Sequence, residues 1–150
     1  MEPEFRVKIE VPAKILMLRP LGVFVRSLIQ QLPVNIGESS ELTDRVELAF
    51  SEAFTNICRH AYGAGRQGPA LIEIIVTPDK LEFVFIDYGQ GFDPDKIQCP
   101  NLDEPREGGL GLWLMKQVMD EYHYHSEEGE RNVLRLIKRL STMTATGQDK

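Results

Sequence analysis

The chain has 150 residues, enough for one ordinary domain with a real core. Hydrophobic residues make up 42% and charged residues 27%, a globular balance rather than a disordered or fibrous one. The formal net charge of -6 argues against a general nucleic-acid binder, which needs clustered Lys and Arg for phosphate contacts.

The opening Met1-Glu-Pro-Glu-Phe-Arg6 lacks a basic segment followed by an apolar run, and no stretch is apolar enough to span a bilayer. The expectation is a cytoplasmic protein with no membrane and no nucleic-acid partner. Cys58 and Cys99 have no metal-ligand spacing and are expected as two reduced thiols.

Phe5 to Val11 alternates apolar and polar residues, which predicts a strand ended by Pro12. Ala13 to Leu32 has helical spacing, with Leu21, Phe24, Val25, Leu28, Ile29 and Leu32 on one face; Pro20 requires either a helix start nearby or a kink. A second helix is expected from about Glu41 to Tyr62, with Leu42, Val46, Ala49, Phe50, Ala53 and Ile57 as its apolar stripe. After a Gly-rich break at 63–69, Ala70 to Thr77 and Leu81 to Asp87 read as a hairpin around Pro78-Asp-Lys80. Tyr88 to Gly109 is a long loop of the kind that is often functional. Leu110 to Asp120 predicts a third helix, and Tyr122 to Glu127 with Asn132 to Arg139 a final hairpin. The expected fold is a single α+β domain over residues 1–140, a two-layer sandwich of a mostly antiparallel sheet with helices on one face, followed by a polar tail at 141–150.

Three features carry chemistry. In Ser51-Glu-Ala-Phe-Thr-Asn56, Glu52 and Asn56 stand one turn apart, and His60 follows one turn later. Asn56 falls about 80° and Glu52 about 120° from the stripe, at the edge of the buried face, with His60 nearer the stripe. An acid and an amide oxygen so placed can share a hard cation with phosphates, or the acid can act as a base while the amide holds the metal. Taken alone, such a row is ordinarily a solvated flank with a packed histidine. Asp87-Tyr-Gly-Gln-Gly91 places a carboxylate at a strand end before two glycines, where it can accept a hydrogen bond from an exocyclic amine such as that of adenine. Gly108-Gly-Leu-Gly-Leu112 opens a helix and so exposes backbone donors suited to phosphate, without matching G-x-G-x-x-G or a Walker A loop.

The order E-x-x-x-N, D-x-G-x-G, long loop, G-G-L-G resembles the Bergerat-type ATP-binding fold of gyrase, histidine kinases and MutL-type proteins, the GHKL (HATPase) superfamily. Within it, Ser51 to Asn56, His60-Ala-Tyr62 and Gly109-Leu-Gly-Leu-Trp-Leu114 with Met119-Asp120 resemble the anti-sigma factor serine/threonine kinases. The resemblance spans Phe5 to Leu140. It implies an ATP- and Mg²⁺-dependent kinase that phosphorylates a serine of a STAS-domain antagonist, sequesters a sigma factor and forms a homodimer, so acting in transcription regulation. It implies that Asn56 coordinates Mg²⁺, that Glu52 is the general base, and that Asp87 reads the adenine amine in a pocket shaped by Gly89 and Gly91. Gly109, Leu110 and Gly111 would bind the phosphates, and Phe92 to Gly108 would form a lid. Relatives often carry Gly-Thr before the last strand where this chain has Arg131-Asn132; Asn132 either replaces that threonine near adenine or the contact is missing. An alternative is a non-catalytic ATP-binding module that exchanges partners. The ATPase piece of a histidine kinase fits less well, since no dimerisation helix pair or phosphoacceptor helix is apparent.

Overall fold

A computed structural model describes residues 5–32, 40–62, 67–90, 110–127 and 130–140. The chain runs β1 (Phe5–Pro12), a 3₁₀ turn (Ile15–Met17), α1 (Leu18–Gln30), α2 (Ser40–Asn56), β2 (Pro69–Val76), β3 (Lys80–Asp87), α3 (Leu110–Val118), β4 (Glu121–Ser126) and β5 (Asn132–Arg139). The strands form one sheet in the order β1-β2-β3-β5-β4, with every neighbouring pair antiparallel. The expected α+β architecture is therefore the observed one. The predicted lid and Cys99 lie outside the described residues, as do Gly91, Gly109 and the tail from Ser141.

Local sequence explains the boundaries. Pro20 sits in the first turn of α1, where a missing N–H costs no helical bond, so the helix starts at Leu18 and has no kink. The β2–β3 hairpin closes through the backbone bond from Thr77 N to Lys80 O, 3.0 Å, and Thr77 Oγ1 bonds the Asp79 carboxylate at 2.7 Å. Beyond Asn56 the second helix continues as one wider, i→i+5 turn over Ile57–Ala61.

The core lies between the inner face of the sheet and the helices. Leu81, Phe83 and Phe85 of β3 and Leu134 and Leu136 of β5 point inward, against Val46, Ala49, Phe50, Ala53 and Phe54 of α2. Phe50 is fully buried, with ring centroids 5.1 Å from both Phe83 and Phe85 and edge-on to the former. The helix α2 packs against both α1 and α3. Arg26 of α1 reinforces one of these contacts by bonding Glu47 at 2.7 Å and pairing with Asp44. Two expectations about helix faces fail. Phe24 is 39% exposed, because Leu21, Val25 and Ile29 already fill the seam of α1. Phe54 and Thr43, outside the predicted stripe, are fully buried, because α2 has neighbours on three sides.

The outer face of the sheet carries a cover of charges. Glu82 is buried there and bonded by Arg135 at 2.6 Å, with Lys80 at 3.5 Å, while Arg6 pairs with Glu73 at 3.1 Å and Arg139 with Glu121 at 3.2 Å. The stems of these side chains lie beside Val84 and Ile137, which are buried on the same face.

Truncating Phe50 to Ala removes the ring that joins α2 to β3 and is expected to destabilise the fold by about 3–5 kcal/mol, whereas Phe24→Ala is expected to cost about 1 kcal/mol or less; urea denaturation of both variants measures the difference.

Candidate active site

The edge of α2 faces two other elements. Glu52 and Asn56 are both half-buried there. Asn56 lines a cleft with His60, Phe85, Asp87, Gln90, Tyr124 and Leu134. Glu52 turns to α3: its carboxylate lies against Gly111, so closely that a Cβ at 111 would collide with Oε2 and stand 2.8 Å from Cδ. The sequence row is thus split between two neighbours, the base of the cleft and the start of α3. His60 is exposed rather than nearer the stripe, because the wider turn after Asn56 changes the angular step.

The Asp87 carboxylate is buried at the end of β3. Its Oδ1 accepts from Gly89 N at 3.0 Å and from Asn132 Nδ2 at 2.8 Å. Asn132 is buried directly opposite Asp87 in the β3–β5 register and also donates from Nδ2 to Gly89 O at 2.9 Å. The turn after β3 is held against the end of the α2 helix, where Gln90 N donates to Ala61 O. Gly89 is required by close approach rather than by a left-handed backbone, since a Cβ there would strike the Ala61 carbonyl and come 2.9 Å from its Cα.

Tyr62 completes the frame. Its hydroxyl donates to Pro69 O at 2.6 Å and accepts from Tyr88 N at 3.0 Å, joining the end of the helix to β2 and to the Asp87 turn. Burial pushes its phenol pKa up, so the hydroxyl keeps the proton it donates. Cys58, a free thiol, is pushed up to about 11 by burial and is no nucleophile at neutral pH.

The described residues hold no group of three His, Cys, Asp or Glu that could cage a metal. A single amide oxygen, that of Asn56, does suit Mg²⁺, which is commonly held by one or two protein oxygens together with substrate phosphates and water. Of the residues singled out in the sequence, Asn56, Asp87, Gly89 and Asn132 gather at the cleft, and Glu52 meets Gly111 beside it. Leu110 begins α3. The sequence reading missed Tyr124, Gln90 and Ser126; the alternation of the final hairpin put Tyr124 and Ser126 on one face, but not which face.

A family model described as a histidine kinase-like ATPase domain matches residues 19–138. This chain belongs to that family. A serine-protein kinase RsbW from Bacillus velezensis is 33% identical over 113 residues, covering 70% of this chain and 71% of the relative. An RsbW from Bacillus pumilus is 30% identical over 133 residues, covering 82% and 80%. Within the histidine kinase-like ATPases the chain therefore groups with the RsbW serine-protein kinases, the anti-sigma factor kinase family that its motifs resemble. Among solved structures, the RsbU and RsbW domains of a Mycobacterium tuberculosis protein match with a TM-score of 0.65 at 16% identity, covering 92% of this chain and 33% of that one, a likeness of fold. As a member of this family the protein is an ATP-using protein kinase. No helix among the described residues is long and apolar enough to cross a membrane.

The two glycines predict different outcomes. Gly89→Ala meets rigid backbone and is expected to destabilise the protein by about 1–3 kcal/mol. Gly111→Ala meets the Glu52 side chain, its movable carboxylate first and its Cβ at 3.3 Å, and gains helix propensity, so thermal stability is expected to change less than in Gly89→Ala while Glu52 is displaced and phosphotransfer falls. Thermal melting and a kinase assay on both variants separate the two effects.

Proposed function

We propose that the protein is an ATP- and Mg²⁺-dependent serine kinase that phosphorylates a serine of a STAS-domain antagonist and sequesters a sigma factor. The observation that carries this reading is the convergence of three groups around one cleft. The Glu52 carboxylate lies against the start of α3, Asn56 one turn on lines the cleft, and the buried Asp87 lines it from the end of β3. That order suits a nucleotide lying with its base at Asp87 and its phosphates toward α3.

In this arrangement Asp87 accepts a hydrogen bond from the exocyclic amine of adenine. Gly89 keeps the turn close to the base, a role that the family resemblance extends to Gly91, and Phe85 and Leu134 give the cleft apolar lining. Leu110 and Gly111 open α3, where the peptide dipoles favour an anion, and their backbone N–H groups would bind the phosphates, a role that the family resemblance extends to Gly109. Asn56 holds Mg²⁺ through its amide oxygen. When bound, the ion neutralises phosphate charge during transfer. Glu52 orients the incoming serine hydroxyl and accepts its proton as the oxygen attacks the terminal phosphorus and the bond to the diphosphate leaving group breaks. The same reading includes a homodimer in the cytoplasm, as the family resemblance implies.

The test is transfer of label from γ-labelled Mg·ATP to a serine of STAS-domain proteins. Glu52→Ala is expected to lower transfer by about 10²-fold or more with ATP still bound. Asn56→Ala is expected to weaken the Mg²⁺-dependent part of ATP binding, read by titration calorimetry with and without the ion. Transfer that survives Glu52→Ala overturns the base assignment. ATP-dependent partner exchange with no label on any serine replaces the kinase with a nucleotide-gated binding module.

A further inference from the structure

Asp87, Asn132 and Ser126 stand directly opposite one another across three neighbouring strands, β3, β5 and β4. All three side chains fall on the inner face. Their hydrogen bonds form one directed chain. Ser126 Oγ donates to Asn132 Oδ1 at 2.6 Å, and Asn132 Nδ2 donates to Asp87 Oδ1 at 2.8 Å and to Gly89 O at 2.9 Å. Asn132 is 3% exposed, and the orientation of its amide is fixed by the two acceptors at the Asp87 end. Its NH₂ faces two acceptors, Asp87 Oδ1 and Gly89 O, so a flip would set oxygen against oxygen and break both bonds; the Ser126 hydroxyl, donor and acceptor alike, follows the orientation this sets.

The consequence falls on the two oxygens of Asp87. A carboxylate oxygen has two acceptor positions. Those of Oδ1 are both taken, by Gly89 N and by Asn132 Nδ2. No described residue donates to Oδ2, and Asp87 lines the cleft. The cleft is therefore offered one carboxylate oxygen, not two. Adenine presents a single exocyclic amine, which one acceptor satisfies. Guanine presents an acceptor, O6, in the place of that amine, and its adjacent N1–H and 2-amino donors form a two-pronged edge that pairs with a carboxylate whose two oxygens are both open.

Resting on the nucleotide reading above, we propose that Ser126 and Asn132 are specificity-determining positioning residues: by saturating Oδ1 they make Asp87 a one-oxygen reader that accepts adenine and rejects guanine. Neither residue needs to touch the base. Asn132, for which the family resemblance allows either a contact near adenine or none, acts here through Asp87.

The experiment compares Mg·ADP with Mg·GDP, which differ only in the base, by titration calorimetry on the full chain. Wild type is expected to prefer ADP by about 100-fold or more, since a buried site rejects a ligand that leaves its polar groups mismatched. Asn132→Val removes both donors and is expected to narrow the ADP-to-GDP ratio by about 10-fold or more. Asn132→Thr restores one hydroxyl donor and should recover part of it. Ser126→Ala, a mild change at a strand end, releases the amide and should narrow the ratio less than Asn132→Val; it carries the test if Asn132→Val does not fold. A merely structural role for the pair would lower affinity for both nucleotides together and leave the ratio unchanged. An unchanged ratio in Ser126→Ala and Asn132→Val, or a wild type that binds ADP without preferring it to GDP, overturns the clamp alone. A wild type that binds neither nucleotide overturns the nucleotide reading, and the clamp falls with it.

Discussion

The packing of α2 onto the sheet through Phe50 and Phe54 is the contact on which the site depends. Both rings are fully buried, and Phe50 is wedged between Phe83 and Phe85 of β3. Those residues alternate along the strand that ends in Asp87. The ring contact therefore sets the height and rotation of α2 relative to the carboxylate, and with them the places of Glu52 and Asn56. Tightly packed interiors have little room to adjust, and the bonds from Gln90 N to Ala61 O and from Tyr88 N to the Tyr62 hydroxyl tie the helix end to the Asp87 turn as well.

Around that contact the polar groups are satisfied in a strict order. Asp87 is bonded by a backbone N–H and an amide, Asn132 by a hydroxyl, and the turn by the Ala61 carbonyl. Tyr62 fastens the outside of the same turn. A buried carboxylate is tolerated when its hydrogen bonds are supplied, and here they come from the turn just after it and from β5, distant in sequence. The frame around Asp87 is thus part of the sheet itself, whereas Glu52 is placed by packing between α2 and α3.

Much of this was legible in the chain. Period-two alternation placed β1, β4 and β5, and Ile, Val and Phe content around a short turn placed β2 and β3, each to within a residue or two. The Glu52–Asn56 row and the two glycine motifs were visible because spacing on a helix and glycine before a helix carry meaning without tertiary context. What could not be read came from tertiary packing. Phe54 and Thr43 are buried because α2 has neighbours on three sides, a fact no single stripe encodes. His60 left its expected angle because a wider turn intervened. Ser126 was invisible as a functional residue because its role depends on β5 lying between β3 and β4, and sequence order alone does not say so.

The place of β1 has a consequence of another kind. It pairs with β2 along its whole length, Phe5 opposite Val76 through Pro12 opposite Pro69, although α1 and α2 separate the two in the chain. Without β1, the segment Ala70-Leu-Ile-Glu-Ile-Ile-Val76 would present an unpaired strand edge with one charge and no interior proline, the composition that templates intermolecular β-pairing. β1 brings Arg6, Lys8 and Glu10, all exposed, to the rim of the sheet in its place. β1 lines no part of the described cleft, yet it keeps this apolar strand paired within its own chain.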